Sequence, residues 1–170
     1  MVYLRATQKV LRDLPPPSSS EESSDTALGD WYTKRFVVDR VPLLLLISSG
    51  SLLAIVLRAR SVRSLPERLP RLVEVRLHRL RVPSRLIEAE VRAMTPVVVA
   101  KTVDRSVLGV LVDFGKLIHH ILPEVWNEGD FEWIEARLAE TPCLVGRGFD
   151  EAIFPREKGP ELLETRWGAS

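Results

Sequence analysis

Two apolar runs, Leu43 to Ile47 and Leu52 to Leu57, are separated by Ser48-Ser49-Gly50-Ser51. Runs of five or six apolar residues bounded by turn signals fit strands buried on both faces, and a pair of them across a short Gly-containing turn predicts a β-hairpin. Read instead as a membrane span, Val41 to Leu57 is 17 residues long, at the lower end of the roughly 17–25 that a spanning helix needs, with its most polar stretch at its centre. The hairpin is the better reading. Met1 to Pro17 has no continuous apolar stretch of signal-peptide length, so none is expected.

Upstream, Met1 to Thr7 alternates around Val2 and Leu4 and predicts a short strand, followed by a helix over Gln8 to Leu14 that Pro15-Pro16-Pro17 must end. Ser18 to Thr26 holds no large apolar residue that could offset its ordering entropy, which predicts a mobile loop over 18–27. Leu28-Gly29-Asp30-Trp31-Tyr32 then leads from a Gly-Asp turn into a strand that continues through Val38, and Asp39-Arg40 turns the chain into the hairpin.

After the hairpin the period changes from two to three and four. Leu65, Leu69, Leu72, Val73, Leu77 and Leu80 predict a helix that begins around Pro66 and Pro70 and stops before Pro83. A second helix, Arg85 to Met94, is expected with Ser84 as its cap and Leu86, Ile87 and Val91 inward. Pro96 to Ala100 reads as a fifth strand, central in the sheet because it is apolar throughout. The longest helix spans Ser106 to Leu122, with Gly109 and Gly115 expected where it packs closely on the sheet. A last amphipathic helix, Phe131 to Ala139, is expected to be capped by Asp130, with a short helix at Asp150 to Ile153 beyond it. Together these elements predict one α+β domain over 1–154, a mainly antiparallel sheet of about five strands with helices packed on one face. A frayed tail is expected over 155–170.

With 170 residues, 45% of them apolar and 28% charged, the chain has the composition of an ordinary globular domain. Its single cysteine, Cys143, excludes an intramolecular disulfide and suits a reducing, cytoplasmic setting. The net charge of +1 conceals an uneven distribution. Leu57 to Arg92 holds ten arginines against four glutamates, whereas Glu124 to Arg166 holds eleven acids against five bases. Arg68, Arg71, Arg79 and Arg85 are therefore candidate phosphate contacts, expected on an exposed positive surface, unless the two regions face each other. Aromatic residues are absent from Arg58 to Arg92, which gives single-strand recognition by base stacking no support.

Catalytic signatures are sparse. His119 and His120 are adjacent, so on a helix their rings point about 100° apart and cannot chelate one metal from one face. No metal and no cofactor is expected. Cys143 lacks the local sequence of a nucleophile and reads as a small buried hydrophobe. Asp30 and Asp113 could pair in space as two carboxylates, and Gly146-x-Gly148 is only a fragment of a phosphate loop.

Three motifs, LGDWY at Leu28 to Tyr32, RSVLG at Arg105 to Gly109 with Asp113-Phe114 after it, and ETPC at Glu140 to Cys143, occur in an order and spacing that resembles a bacterial family known only as a domain of unknown function. The resemblance covers about Met1 to Ile153. It implies a small bacterial protein without an assigned activity. Where the family pattern has Ala-Asn after LGDWY this chain has Thr33-Lys34, and where it has Ser-Met-Asn after RSVLG this chain has Val110-Leu111-Val112. The motif residues Asp30, Trp31, Arg105, Ser106, Asp113, Thr141 and Cys143 form the candidate cluster, expected to meet at the rim of the sheet. Asp30 would there cap the long helix or pair with Arg105, with Trp31 covering the pair. The leading functional expectation is a non-catalytic cytoplasmic interaction or regulatory module with a protein partner and no membrane. The second is a nucleic-acid-associated protein of toxin–antitoxin or mobile-element type. The third is an enzyme of unknown reaction built on Asp30, Arg105 and Asp113.

Overall fold

A computed structural model describes residues 1–19, 22–144 and 152–169. The predicted hairpin is present as β3 (Val41–Ser48) and β4 (Ala54–Arg58), paired antiparallel from Leu43↔Arg58 to Ile47↔Ala54. β2 (Trp31–Val38) lies antiparallel to β3, and β1 (Val2–Ala6) lies on the other side of β2. β5 (Val97–Lys101) completes a five-stranded mixed sheet in the order β4-β3-β2-β1-β5, whose larger part, β2 to β4, is antiparallel. β1 runs parallel to both of its neighbours.

Helices cover both faces of this sheet rather than one. α1 (Gln8–Leu11), α2 (Leu65–Arg79), α3 (Ser84–Ala93) and α6 (Pro155–Trp167) share a core with Val2, Leu4, Leu44 and Leu46. α4 (Arg105–Ile121) and α5 (Asp130–Ala139) share a second core with Tyr32, Leu43, Leu45 and Ile47. The reason lies in β3, which is apolar at every position from Leu43 to Ile47, so that both of its faces must be shielded from water.

Several local expectations change for identifiable reasons. β5 is an edge strand, because β1 is its only strand partner among the described residues, and its far side accepts from Ser18 N–H at the Val99 carbonyl, 2.8 Å, and from the Arg5 guanidinium at the Lys101 carbonyl, 3.0 Å. Ser84 and Asp130 are the first residues of their helices and provide no side-chain cap, and the Asp130 carboxylate instead accepts from Asn127 N–H at 2.9 Å. Neither Gly109 nor Gly115 marks a close contact with the sheet: nothing lies within 4 Å of where a Cβ would stand, and Gly115 lines a groove between α4 and β2. Within the expected mobile loop 18–27 the described residues form no helix or strand, yet Ser24, Asp25, Thr26 and Ala27 are each hydrogen-bonded to neighbouring segments.

The C-terminal expectations also change. Residues 150–151 of the expected short helix, and Gly146 and Gly148, lie outside the described residues. Ala152–Ile153 is a strand (β7) paired with Cys143–Leu144 (β6). Residues 155–167 form α6 rather than a frayed tail, with Leu163 fully buried. No helix among the described residues is long and apolar enough to cross a membrane.

Candidate functional site

The motif residues are wired differently from the expectation. Asp30 pairs with Arg5 of β1, not with Arg105, and both side chains are largely buried. The second Asp30 oxygen accepts from Ser24 Oγ at 2.6 Å, and Arg5 also donates to the Lys101 carbonyl at 3.0 Å. The Arg5 guanidinium lies 4.9 Å from the centre of the Tyr3 ring. Asp30 N–H donates to Ser49 Oγ at 2.9 Å, so one carboxylate residue ties β1, the preceding loop and the hairpin turn together.

The cap of α4 is Asp104, whose carboxylate accepts from Ser106 N–H at 2.8 Å and Val107 N–H at 3.3 Å. Tyr32 of LGDWY reaches the residue that precedes RSVLG, because its hydroxyl accepts from Asp104 N–H at 3.3 Å. Burial pushes the Tyr32 hydroxyl pKa up, and its bond with Asp104 partly offsets this. Trp31 points into the opposite core, so it does not cover the pair, and its indole N–H has no partner among the described residues. Arg105, Ser106 and Asp113 are exposed. Thr141 Oγ donates to the Arg137 carbonyl at 3.0 Å, closing α5.

Cys143 is buried, and burial, reinforced by the Asp113 carboxylate, pushes its thiol up to about 11. That is the reverse of what an activated nucleophile requires. His78, His119 and His120 are exposed, and no group of three metal-ligating side chains occurs among the described residues.

The arginine block is engaged in part by the acidic half of the chain and in part by its own neighbours. Arg79 meets Glu135 at 3.1 Å and Glu132 at 3.8 Å, and Arg85 meets Glu164 at 3.5 Å. Arg71 pairs with Glu74 at 2.7 Å, and Arg68 donates to Ser64 Oγ and to the Arg60 and Ser61 carbonyls. Arg71, Arg79 and Arg85 are exposed as expected, whereas Arg68 is half-buried and the positive surface is not separate from the acidic one.

Sequence reading missed four buried charged residues, Arg5 of β1 and three on helices. Glu90 accepts from Ala27 N–H, Leu28 N–H and Trp167 Nε1 at 2.9, 3.0 and 2.7 Å. Glu135 accepts from Val56 N–H at 2.9 Å, and Arg76 donates to the Ala54 carbonyl at 2.9 Å. Each of the three helical residues lies three or four residues from apolar positions on the inward face of its helix, a phase in which a charged residue needs a partner.

The remaining feature is an opening in the sheet. β1 ends opposite Thr33, with Thr7 N–H donating to the Thr33 carbonyl at 3.2 Å, and α1 then turns the chain away. β2 runs on to Val38 with β3 alone beside it. Val37 stands opposite Pro42, which has no N–H to give. In an antiparallel ladder alternate pairs are bonded, so the N–H and C=O groups of Val37, and those of Arg35 two residues earlier, point away from β3 to the open side.

This half-edge borders a cavity on each face. One of about 470 Å³ is lined by Lys9, Arg12, Asp13, Arg35, Phe36 and Val37. None of its four charged side chains has an ion-pair partner among the described residues. The other, about 200 Å³, runs between β2 and α4, with Phe36, Leu45 and Val112 among its apolar lining and Lys34, Lys116 and His119 beside them.

A family model for a domain of unknown function, DUF6933, matches residues 3–158. The chain belongs to this family. Comparison with curated proteins and with solved structures returns no match. In this DUF6933 chain the matched span runs from β1 into the first turn of α6, and so includes both sides of the β2 opening. Positions 34 and 112, where the resemblance to the family implies asparagine, are Lys34 and Val112 here, and both line the α4 groove.

Proposed function

We propose that this DUF6933 chain is a non-catalytic interaction module of the bacterial cytoplasm that binds an extended polypeptide segment along the open half of β2. The observation that carries this is the outward-facing backbone of Arg35 and Val37, without partners among the described residues and bordered by cavities on both faces. An exposed edge of this kind is a template for strand addition, where main-chain bonds supply affinity and flanking pockets supply selectivity. The largely buried pairing of Asp30 with Arg5 and the raised Cys143 thiol favour structural roles for the motif residues over catalytic ones. A nucleic-acid role has less support, because carboxylates engage three of the four arginines it would use. The buried free thiol is compatible with a reducing compartment.

Val37→Pro tests the proposal. It deletes an N–H that the domain's own ladder does not use, at an edge position where proline is tolerated. Peptides enriched from a random display library on the wild-type domain should fail to bind the variant, while circular dichroism and melting temperature stay unchanged. Retention of the same peptides by a folded Val37→Pro domain would refute binding at this edge.

A further inference from the structure

We infer that the segment bound along β2 is acidic and alternating, with carboxylate side chains at every second position and apolar side chains between them. This rests on strand addition at β2 and adds the chemistry of the ligand. Successive side chains of a strand point to opposite faces of the sheet, so an added strand sends every second residue to each of the two cavities. On the α1 face it meets Lys9, Arg12 and Arg35, three cations against the single carboxylate of Asp13. On the α4 face it meets Phe36 and Val112 with cationic side chains beside them. Carboxylates match the first surface and apolar groups the second.

The open stretch, residues 34–38, is five residues long, or about 17 Å of strand. A ligand needs little more than that length. A second copy of the chain is a poor occupant, because edge-to-edge pairing would set Lys9, Arg12 and Arg35 against their own counterparts. Charges of one sign on an edge also discourage aggregation, and that protective role alone would predict no preference among peptides of opposite charge pattern beyond simple attraction.

The test uses the full chain and four fluorescein-labelled hexapeptides: alternating Glu-Val, alternating Thr-Val, alternating Lys-Val, and a block peptide of three glutamates followed by three valines. Fluorescence anisotropy should rank alternating Glu-Val first, with the block peptide about tenfold weaker and the Lys-Val peptide not bound. Lys9→Gln and Arg35→Gln, both at exposed positions, should each weaken the Glu-Val peptide by about two- to fivefold at low salt, with the difference shrinking as salt is raised. Equal binding of Thr-Val and Glu-Val would overturn the acidic assignment and leave strand addition standing. Equal binding of the block peptide would overturn the alternation and reduce the effect to bulk attraction. Glu-Val binding that survives Val37→Pro would refute strand addition itself, and failure of all four peptides to bind would refute both.

Discussion

Cys143 shows how burial decides the role of a side chain. Its thiol is buried in the apolar core beside α4 and α5, it donates to the Thr141 carbonyl at 3.5 Å, and the nearby Asp113 carboxylate further disfavours the thiolate. Alkylation of the native protein by iodoacetamide should therefore rise with pH toward an inflection near 11, whereas the urea-unfolded chain should titrate in the ordinary thiol range of about 8.5. The sign for stability follows. A folded pKa raised above the unfolded one contributes stability that is complete below the unfolded value and is lost as pH rises through the folded value. Cys143→Ala should accordingly flatten part of the stability loss in that alkaline window. An alkylation inflection near neutrality in the native protein would instead mark an activated thiol and restore catalysis as a reading of the ETPC motif. Asp30 and Arg5 stand at the same scale. The LGDWY motif was visible as a turn entering a strand, but its partner was not, because Arg5 lies on a different strand 25 positions away in the chain and no local period reports a contact of that kind.

Among the elements, the two incomplete edges of the antiparallel ladder are treated differently. The outer edge of β4 is sealed by side chains: Glu135 accepts from Val56 N–H, Arg76 donates to the Ala54 carbonyl, and Arg76 also donates to the Glu135 carbonyl at 3.1 Å. Burial pushes the Glu135 carboxyl up and the Arg76 guanidinium down, and their mutual attraction opposes both shifts. Glu135→Ala should cost about 3–5 kcal/mol in urea unfolding, since it strands a buried guanidinium and a backbone N–H together. Glu135→Gln, which keeps an acceptor, should cost clearly less. Similar midpoints for Ala and wild type would show that the edge does not depend on this network. The elements themselves were legible where one period persisted, as in the hairpin, α2 and α4. What was lost was the side of the sheet each helix takes and the position of β5, because an apolar strand reads alike at the centre of a sheet and at an edge whose faces are covered. α6 was missed because Gly159 and Pro160 interrupt it and its apolar residues are few.

For the whole molecule, that last helix is a clamp. Leu163 is fully buried among the residues of the α2–α3 core, and Gly159 lets the helix approach Leu53 so closely that an added Cβ would stand 2.5 Å from a Leu53 methyl. Trp167 donates to Glu90 at 2.7 Å, and the same carboxylate receives Ala27 and Leu28 N–H groups from the segment that leads into β2. Arg85–Glu164 joins α3 to α6, and Arg79–Glu135 joins α2 to α5, so the basic and acidic halves of the sequence face each other across helix contacts. The Glu90 link, unlike the exposed Arg85 pair, is buried and should carry measurable energy. Trp167→Phe keeps most of the ring and removes one bond to a carboxylate, so it should cost about 1.5–3 kcal/mol. Truncation after Phe154 removes Leu163 as well and should cost more than the single substitution, with the burial of that leucine alone worth about 2–5 kcal/mol. Both can be read from urea midpoints and from proton exchange at Leu28 N–H, which should lose protection in each variant. If the truncated chain kept the wild-type midpoint and the Leu28 amide stayed protected, α6 would be an appendage, and the loop ahead of β2 would need another anchor.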